Sequence, residues 1–171
     1  MDRPGQYVIA FKGLSLGHHS FEFEVDHSFF EHFEFYEFLA CDMKVGLDME
    51  KKTDMLIFNF RMSGHVTVPC DRCNDPFNLP LEGTERLIVK FGEAFQEESE
   101  DVLVIPDTEH QLDVSSYLFE YITLLTPIKK VHPDDADGHS TCNPEVLKKL
   151  ENLSPAPAPD PRWDILKNLK S

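Results

Sequence analysis

Apolar and polar positions alternate along most of the first two thirds of the chain, which is the signature of half-buried strands. Phe21, Phe23 and Val25 alternate with Glu22, Glu24 and Asp26. Cys41, Met43, Val45, Leu47 and Met49 alternate with Asp42, Lys44, Asp48 and Glu50. The longest run sets Leu56, Phe58, Phe60, Met62, Val66, Val68 and Cys70 on one face, with Asn59, Arg61, Ser63, His65 and Thr67 on the other. Gly64 interrupts it and predicts a bulge or bend. A third long strand carries Phe77, Leu79, Leu81, Leu87, Val89 and Phe91 on one parity, with Gly83 as its irregular point. Tyr7 to Phe11 and Asp101 to Ile105 predict shorter strands, and the acidic stretch 92–101 a surface loop.

The period changes after Asp113. Val114, Tyr117, Leu118, Tyr121, Ile122 and Leu125 follow the spacing of one helical face, with Asp113 as cap and Pro127 as stop. Ser28 and Glu31 form a capping box that predicts a short helix bringing Phe29, Phe30 and Phe33 inward. Asn143 and Pro144 open a further short helix running to Leu153. The fold class expected is α+β: an antiparallel meander, its long strands permitting strong curvature, covered by one main helix. Residues 1–153 form a single domain in this reading. Residues 154–161, Ser-Pro-Ala-Pro-Ala-Pro-Asp-Pro, are a polyproline-type linker. Residues 162–171 are a short amphipathic segment holding Trp163, the one tryptophan, which marks it as a docking tail that folds back on its own domain or meets a partner.

Composition narrows the class. The chain has 171 residues with 41% hydrophobic and 27% charged, an ordinary globular balance. No apolar run approaches the roughly 20 residues of a membrane helix, and the start lacks a signal-peptide core, so a cytoplasmic location is expected. The net charge is −15, from 16 basic and 31 acidic residues. No Lys/Arg cluster is available to follow a nucleic-acid backbone. Acidity serves solubility in any case, and it also suits a basic protein partner. DNA and membranes are not expected partners, and direct RNA contact is left open.

The candidate chemistry gathers at Cys70-Asp71-Arg72-Cys73. A Cys-x-x-Cys turn is half of a tetrahedral zinc site. The same spacing serves redox catalysis when it opens a helix in a βαβ setting. Here strands precede and follow it, so a loop between strands is expected. His139-Ser140-Thr141-Cys142 repeats the spacing with a histidine in first place. Cys70, Cys73, His139 and Cys142 therefore form a Cys₃His set for one structural zinc, with His132 as the alternative fourth ligand. Free thiols are the rival reading. Cys41, on an apolar strand face, is read as a buried structural thiol. Asp71 and Asp75 are read as turn residues. No Gly-x-Ser-x-Gly elbow and no phosphate-binding glycine loop is present. His18, His19, His27, His32 and His110 show no partner by spacing.

In their order along the chain these motifs resemble the YceD family, the bacterial and plastid large ribosomal RNA subunit accumulation proteins. The likeness rests on Cys70-Asp71-Arg72-Cys73, the Pro76-Phe77 strand, the acidic loop, the Leu112-Asp113 helix carrying Glu120, the Leu124-Leu125-Thr126-Pro127 step, Val131-His132 and the later Cys142. It spans roughly residues 40–145. Two departures stand out: a Thr inside the Leu-Pro step, and His139 with Cys142 where relatives carry further cysteines. The resemblance implies a non-enzymatic role in large-subunit ribosomal RNA accumulation and ribosome assembly. It makes Arg72 and Glu120 candidates for partner binding beside Trp163. A basic ribosomal protein or a precursor particle of the large subunit is the partner that the acidic charge suggests. The rival functions are a zinc-stabilised adaptor without a ribosomal link and an RNA-processing enzyme using metal-bound water.

Overall fold

The computed structural model describes residues 5–153. The linker 154–161 and the segment with Trp163 lie outside the described residues. The chain forms two compact units. One comprises 5–69 and Pro76–Lys130, the other Cys70–Asp75 and the chain from Val131 onward.

The first unit is an α+β structure around a six-stranded mixed sheet. Its strands are β2 (Gly17–Asp26), β3 (Ala40–Lys51), β4 (Met55–Pro69), β5 (Pro76–Gly92), β6 (Gln96–Ser99) and β7 (Val102–Pro106), in the order β2-β3-β4-β5-β7-β6. The order is open and closes no barrel. A two-stranded pairing joins β1 (Val8–Ile9) to β8 (Leu112–Asp113). Antiparallel ladders connect β2 through β5 without a break in register. The alternation read from the sequence maps directly onto burial: Met43, Val45, Leu47 and Met49 of β3 face Phe58, Phe60 and Met62 of β4, and all are at most 1% exposed.

Gly64 lies inside the continuous β3–β4 register, opposite Met43, and makes no bulge. Its φ is 153°, and a Cβ there would overlap the Asp42 carbonyl oxygen and approach the Met43 Cα to 2.8 Å. The glycine answers a close backbone approach.

The region 92–101 departs from the expected loop. β6 lies there, antiparallel to β7, with a register irregularity between Glu97 and Ser99. All four of its residues are exposed, so its ladder leaves no burial pattern to read. β7 in turn runs parallel to β5, pairing Ile88 with Val102 through Gly92 with Pro106. The sheet is therefore mixed, and antiparallel only from β2 to β5.

Among the described residues, two helices belong to this unit. α1 (His27–His32) is capped by Asp26, whose Oδ1 accepts from the Ser28 and Phe29 backbone N–H groups at 2.9 and 3.3 Å. Asp26 thus takes the capping place expected of Ser28. α2 (Ser115–Leu125) buries Leu118, Tyr121 and Ile122. Tyr121 meets Phe60 edge to face at 5.3 Å. The cap position of α2 falls on Val114, one residue later than expected, and Asp113 Oδ1 accepts from the Ser115 N–H at 2.9 Å just ahead of it. The aromatics near α1 are core: Phe29 and Phe30 are buried, and Phe33 stacks on Phe119 at 4.5 Å. Cys41 is buried, its Sγ donating to the Val25 carbonyl at 3.4 Å. Burial, with Asp26 and Asp42 adding, pushes that thiol up to about 12. Among the described residues no helix is long and apolar enough to cross a membrane.

Candidate metal centre

The second unit begins where β4 ends. Pro69 pairs with Pro76, and the six residues between them close the turn. The Cys70 N–H donates to the Asp75 carbonyl at 3.0 Å, and the Asn74 N–H to the Cys70 carbonyl at 2.8 Å. Asn74 has φ 63°, a left-handed conformation that asparagine tolerates better than most residues. This folds the turn back, so that the Arg72 N–H reaches Cys70 Sγ at 3.4 Å. A backbone N–H aimed at a cysteine sulfur stabilises the thiolate, the form that binds metal.

The other half is a loop that returns on itself. Asp134 bridges Ser140, and the Asp135 N–H donates to the His139 carbonyl at 2.8 Å. Thr141 Oγ1 donates to the Pro133 carbonyl at 2.7 Å. The loop thereby brings Cys142 back beside His132. From Asn143 the chain enters α3 (Pro144–Leu153), and Asn143 Oδ1 caps it by accepting from the Glu145 N–H at 3.0 Å.

Four donor atoms converge: the sulfurs of Cys70, Cys73 and Cys142 and a ring nitrogen of His132, all within 4.8 Å of one another. Cys70 Sγ lies 3.8 Å from Cys142 Sγ, and His132 Nδ1 lies 3.4 Å from Cys73 Sγ and 3.8 Å from Cys142 Sγ. Tetrahedral zinc, with Zn–S of about 2.3 Å and Zn–N of about 2.0 Å, implies S···S edges of about 3.8 Å and S···N edges of about 3.5 Å. The observed separations match those edges. They are too long for a disulfide, and all the cysteines are free.

Electrostatics favour a cation in the same place. The three thiols are buried, each at most 5% exposed. Burial alone pushes Cys70 up, but the backbone N–H groups of Cys73, Arg72 and His132 outweigh it and hold the thiol at about 6. Burial raises Cys73, and the neighbouring sulfurs of Cys70 and Cys142 act in the same direction. Adjacent buried thiolates repel one another, and a divalent ion removes that cost.

Two polar latches tie the halves together. Arg72 Nη1 donates to Ser140 Oγ at 3.1 Å, and the same oxygen accepts from the Cys142 N–H at 3.3 Å. Asn143 Nδ2 donates to Asp75 Oδ2 at 3.1 Å. Asp75 is thus more than a turn former, because it holds the residue that caps α3.

The structure brings together Cys70, Cys73 and Cys142 of the expected set, and it sets His132, the alternative, beside them. His139 stands apart. Its side chain is 79% exposed, with Nδ1 at 3.6 Å from Asp135 Oδ1. The reason lies in the loop: the His139 N–H and carbonyl are both spent closing the Asp135 turn, which directs the ring outward with Asp135 and Asp137. The Val131-His132 step was visible in the sequence, but the ten positions from His132 to Cys142 match no short ligand spacing. Glu120 is exposed on α2. Trp163 lies outside the described residues.

A family model described as the large ribosomal RNA subunit accumulation protein YceD matches residues 58–170. No curated protein and no solved structure matches the chain. That match spans well over half of the sequence and contains all four donors of the thiol–imidazole cluster, so the chain belongs to the YceD family of large ribosomal RNA subunit accumulation proteins.

Proposed function

We propose that this protein is a non-enzymatic factor for large-subunit ribosomal RNA accumulation whose second unit is organised by one structural zinc ion. The observation that carries the reading is the buried Cys70–Cys73–His132–Cys142 tetrahedron inside the family-matched region. Four protein donors leave no coordination position for a reactive water, which is the pattern of structural rather than catalytic zinc. Zinc bound there neutralises the thiolates and joins two stretches about 60 residues apart in sequence. Arg72 acts in this reading as a positioning residue, since its guanidinium holds Ser140 and through it the Cys142 backbone.

The partner proposed is a basic ribosomal protein or a precursor particle, met in the cytoplasm. The net charge of −15 supports it, since complementary charge raises association rates and rejects other acidic surfaces. Exposed Glu120 and the Trp163 segment are the partner-facing candidates.

Two measurements test the parts separately. The metal-to-protein ratio of chelator-free purified protein is expected near one zinc per chain, and near zero for Cys70→Ser/Cys73→Ser. Absence of zinc from the unmodified protein rules out the metal centre. Co-sedimentation with large-subunit precursors, weakened by added salt, is expected for the assembly role. A protein absent from such particles at low salt overturns that role even if zinc is found.

A further inference from the structure

β5 carries one residue that breaks its own pattern. Leu81, Gly83, Glu85, Leu87 and Val89 share the parity that faces the core, and Glu85 is the charged member among them. It stands opposite Phe60, which is wholly buried. A carboxylate on such a face costs stability unless a partner is supplied. Glu85 is half-buried, and among the described residues its carboxylate makes no hydrogen bond and no ion pair.

α2 lies across this face. A Cβ on Gly83 would run into the Leu125 side chain, so the last turn of α2 sits on Gly83. Four helical residues rise about 6 Å and two strand residues about 7 Å, so Tyr121 comes over Glu85 and Phe60. The Tyr121 ring meets that of Phe60 at 5.3 Å, and the Tyr117 ring lies 6.2 Å away on the other side of it. Tyr121 is 5% exposed, and its buried hydroxyl has no hydrogen-bond partner among the described residues. Burial is the main cause that holds this phenol well above its ordinary value, and Tyr117, Glu120, Glu85 and Asp101 add to it. Tyr117 is raised in the same way, by burial and then by Glu97 and Glu120. Acids therefore gather around two phenols, one of which lacks a donor.

The missing component is a donor that carries positive charge. A guanidinium meets the need: its planar N–H groups can serve a carboxylate and a phenol oxygen together, it is weakly hydrated, and its face stacks on tyrosine. We propose that Glu85, Tyr117, Glu120 and Tyr121 form a receptor for one arginine side chain of a basic protein partner. Glu85 and the Tyr121 hydroxyl accept from the guanidinium at the inner end, and exposed Glu120 meets it at the rim. This deepens the basic-partner reading of Glu120 and rests on it.

The probe is a short peptide of alternating arginine and glycine, titrated into the full chain and followed by amide shifts in heteronuclear NMR. Saturable shifts are expected at 85 and 117–121, and a lysine–glycine peptide is expected to bind more weakly. Glu85→Gln is expected to weaken binding about tenfold, the loss of one charge-assisted bond. Glu22→Gln removes an exposed acid from the opposite face of the sheet and is expected to leave binding unchanged. Tyr121→Phe is expected to weaken binding several-fold and to melt no lower than the unmodified protein, because its hydroxyl has no partner to lose. Absence of saturable shifts at these positions overturns the proposal. So do equal losses from Glu22→Gln and Glu85→Gln, which make net charge the determinant, and equal affinity for the two peptides, which removes the guanidinium. A lowered melting temperature in Tyr121→Phe also overturns it, since the hydroxyl then serves the fold. Co-sedimentation separates this site from the assembly role. Glu85→Gln protein that still co-sediments fully with large-subunit precursors overturns the site and leaves the role standing, whereas peptide binding without co-sedimentation removes the role and leaves the site.

Discussion

The two units are held by different physics. The first has an apolar core in which Phe58, Phe60, Leu118 and Ile122 are wholly buried, drawn from strands and helices far apart in sequence. In the described part of the second unit the only buried residues are three thiols, Cys70, Cys73 and Cys142. A core of that size cannot offset the conformational entropy of ordering some 30 residues at about 1–2 kcal/mol each. Zinc fingers face the same shortage and fold only with metal. The comparison teaches that the first unit owes its order to area removed from water, whereas the second, without such a core, is where the proposed metal cross-link between Cys70, Cys73, His132 and Cys142 would matter.

The strongest way to break the comparison is to remove the cross-link. Chelation, or Cys70→Ser/Cys73→Ser, is expected to unfold the second unit and leave the first intact. Structural zinc contributes apparent binding energies of about 10–16 kcal/mol in small domains, more than any single contact here. Hydrogen exchange resolved by residue checks it: amides of 131–153 lose protection while those of β3 and β4 keep theirs. Within the ligand set, His132→Ala is expected to weaken metal retention strongly. His139→Ala, which removes an exposed ring, is expected to leave it unchanged. Equal losses from both would return His139 to the coordination sphere.

The converse experiment attacks the apolar side. Phe60 is wholly buried and packs on Tyr121 at 5.3 Å. Phe60→Ala is expected to destabilise the first unit by about 3–5 kcal/mol, from lost transfer energy and the cavity left behind. Denaturant unfolding followed by far-UV circular dichroism measures this. A smaller effect, below about 1 kcal/mol, would mean that the core around β4 collapses to fill the space.

A subtler substitution separates the latches from the ligands. Asn143→Ala removes both the cap of α3 and the bond to Asp75 Oδ2. A lost helix cap costs about 0.5–2 kcal/mol. The expected outcome is a frayed α3 with undiminished zinc content, read by amide exchange at 145–148. Loss of zinc in this variant would make the Asp75–Asn143 latch part of the metal site itself.

The same contrast decides what the sequence could disclose. Alternation wrote the β2–β5 ladder into the chain, because each inward position of Met43, Val45, Leu47 and Met49 pays back in burial. β6 left no trace, since Gln96 to Ser99 are all exposed, held by backbone bonds and the Lys90–Glu98 ion pair rather than by burial. The direction of β7 was equally silent: an apolar run such as Val102 to Ile105 looks the same parallel or antiparallel. At the candidate metal centre the cysteines were legible by spacing, whereas a turn around Asp135, which spacing does not encode, sets His132 rather than His139 beside them. The Arg72–Ser140 and Asp75–Asn143 latches join residues 68 apart, beyond any local pattern.

The smallest effect expected belongs to the first unit and comes from acid. Asp26 caps α1, and the Ser28 hydroxyl, donating to Oδ1 at 2.7 Å, is the main cause that holds its carboxyl below the usual carboxylate range. The Phe29 and Ser28 N–H groups act with it, against a raising effect of burial. Because the folded-state value is lowered, the cap contributes fully above the ordinary aspartate range and is lost as pH falls through the folded value. Asp26→Ala is therefore expected to cost about 1 kcal/mol at neutral pH. That difference from the unmodified protein is expected to shrink toward zero in strong acid. Asp26→Asn keeps a side-chain oxygen acceptor without the charge, so it should be more stable than the alanine variant at neutral pH while sharing its lack of an acid response at this site. Unfolding midpoints collected between pH 7 and the acid limit of solubility provide the check. A pH-independent gap between the unmodified protein and Asp26→Ala would show that this cap acts through geometry alone, and that charge has no part in holding α1 against β2.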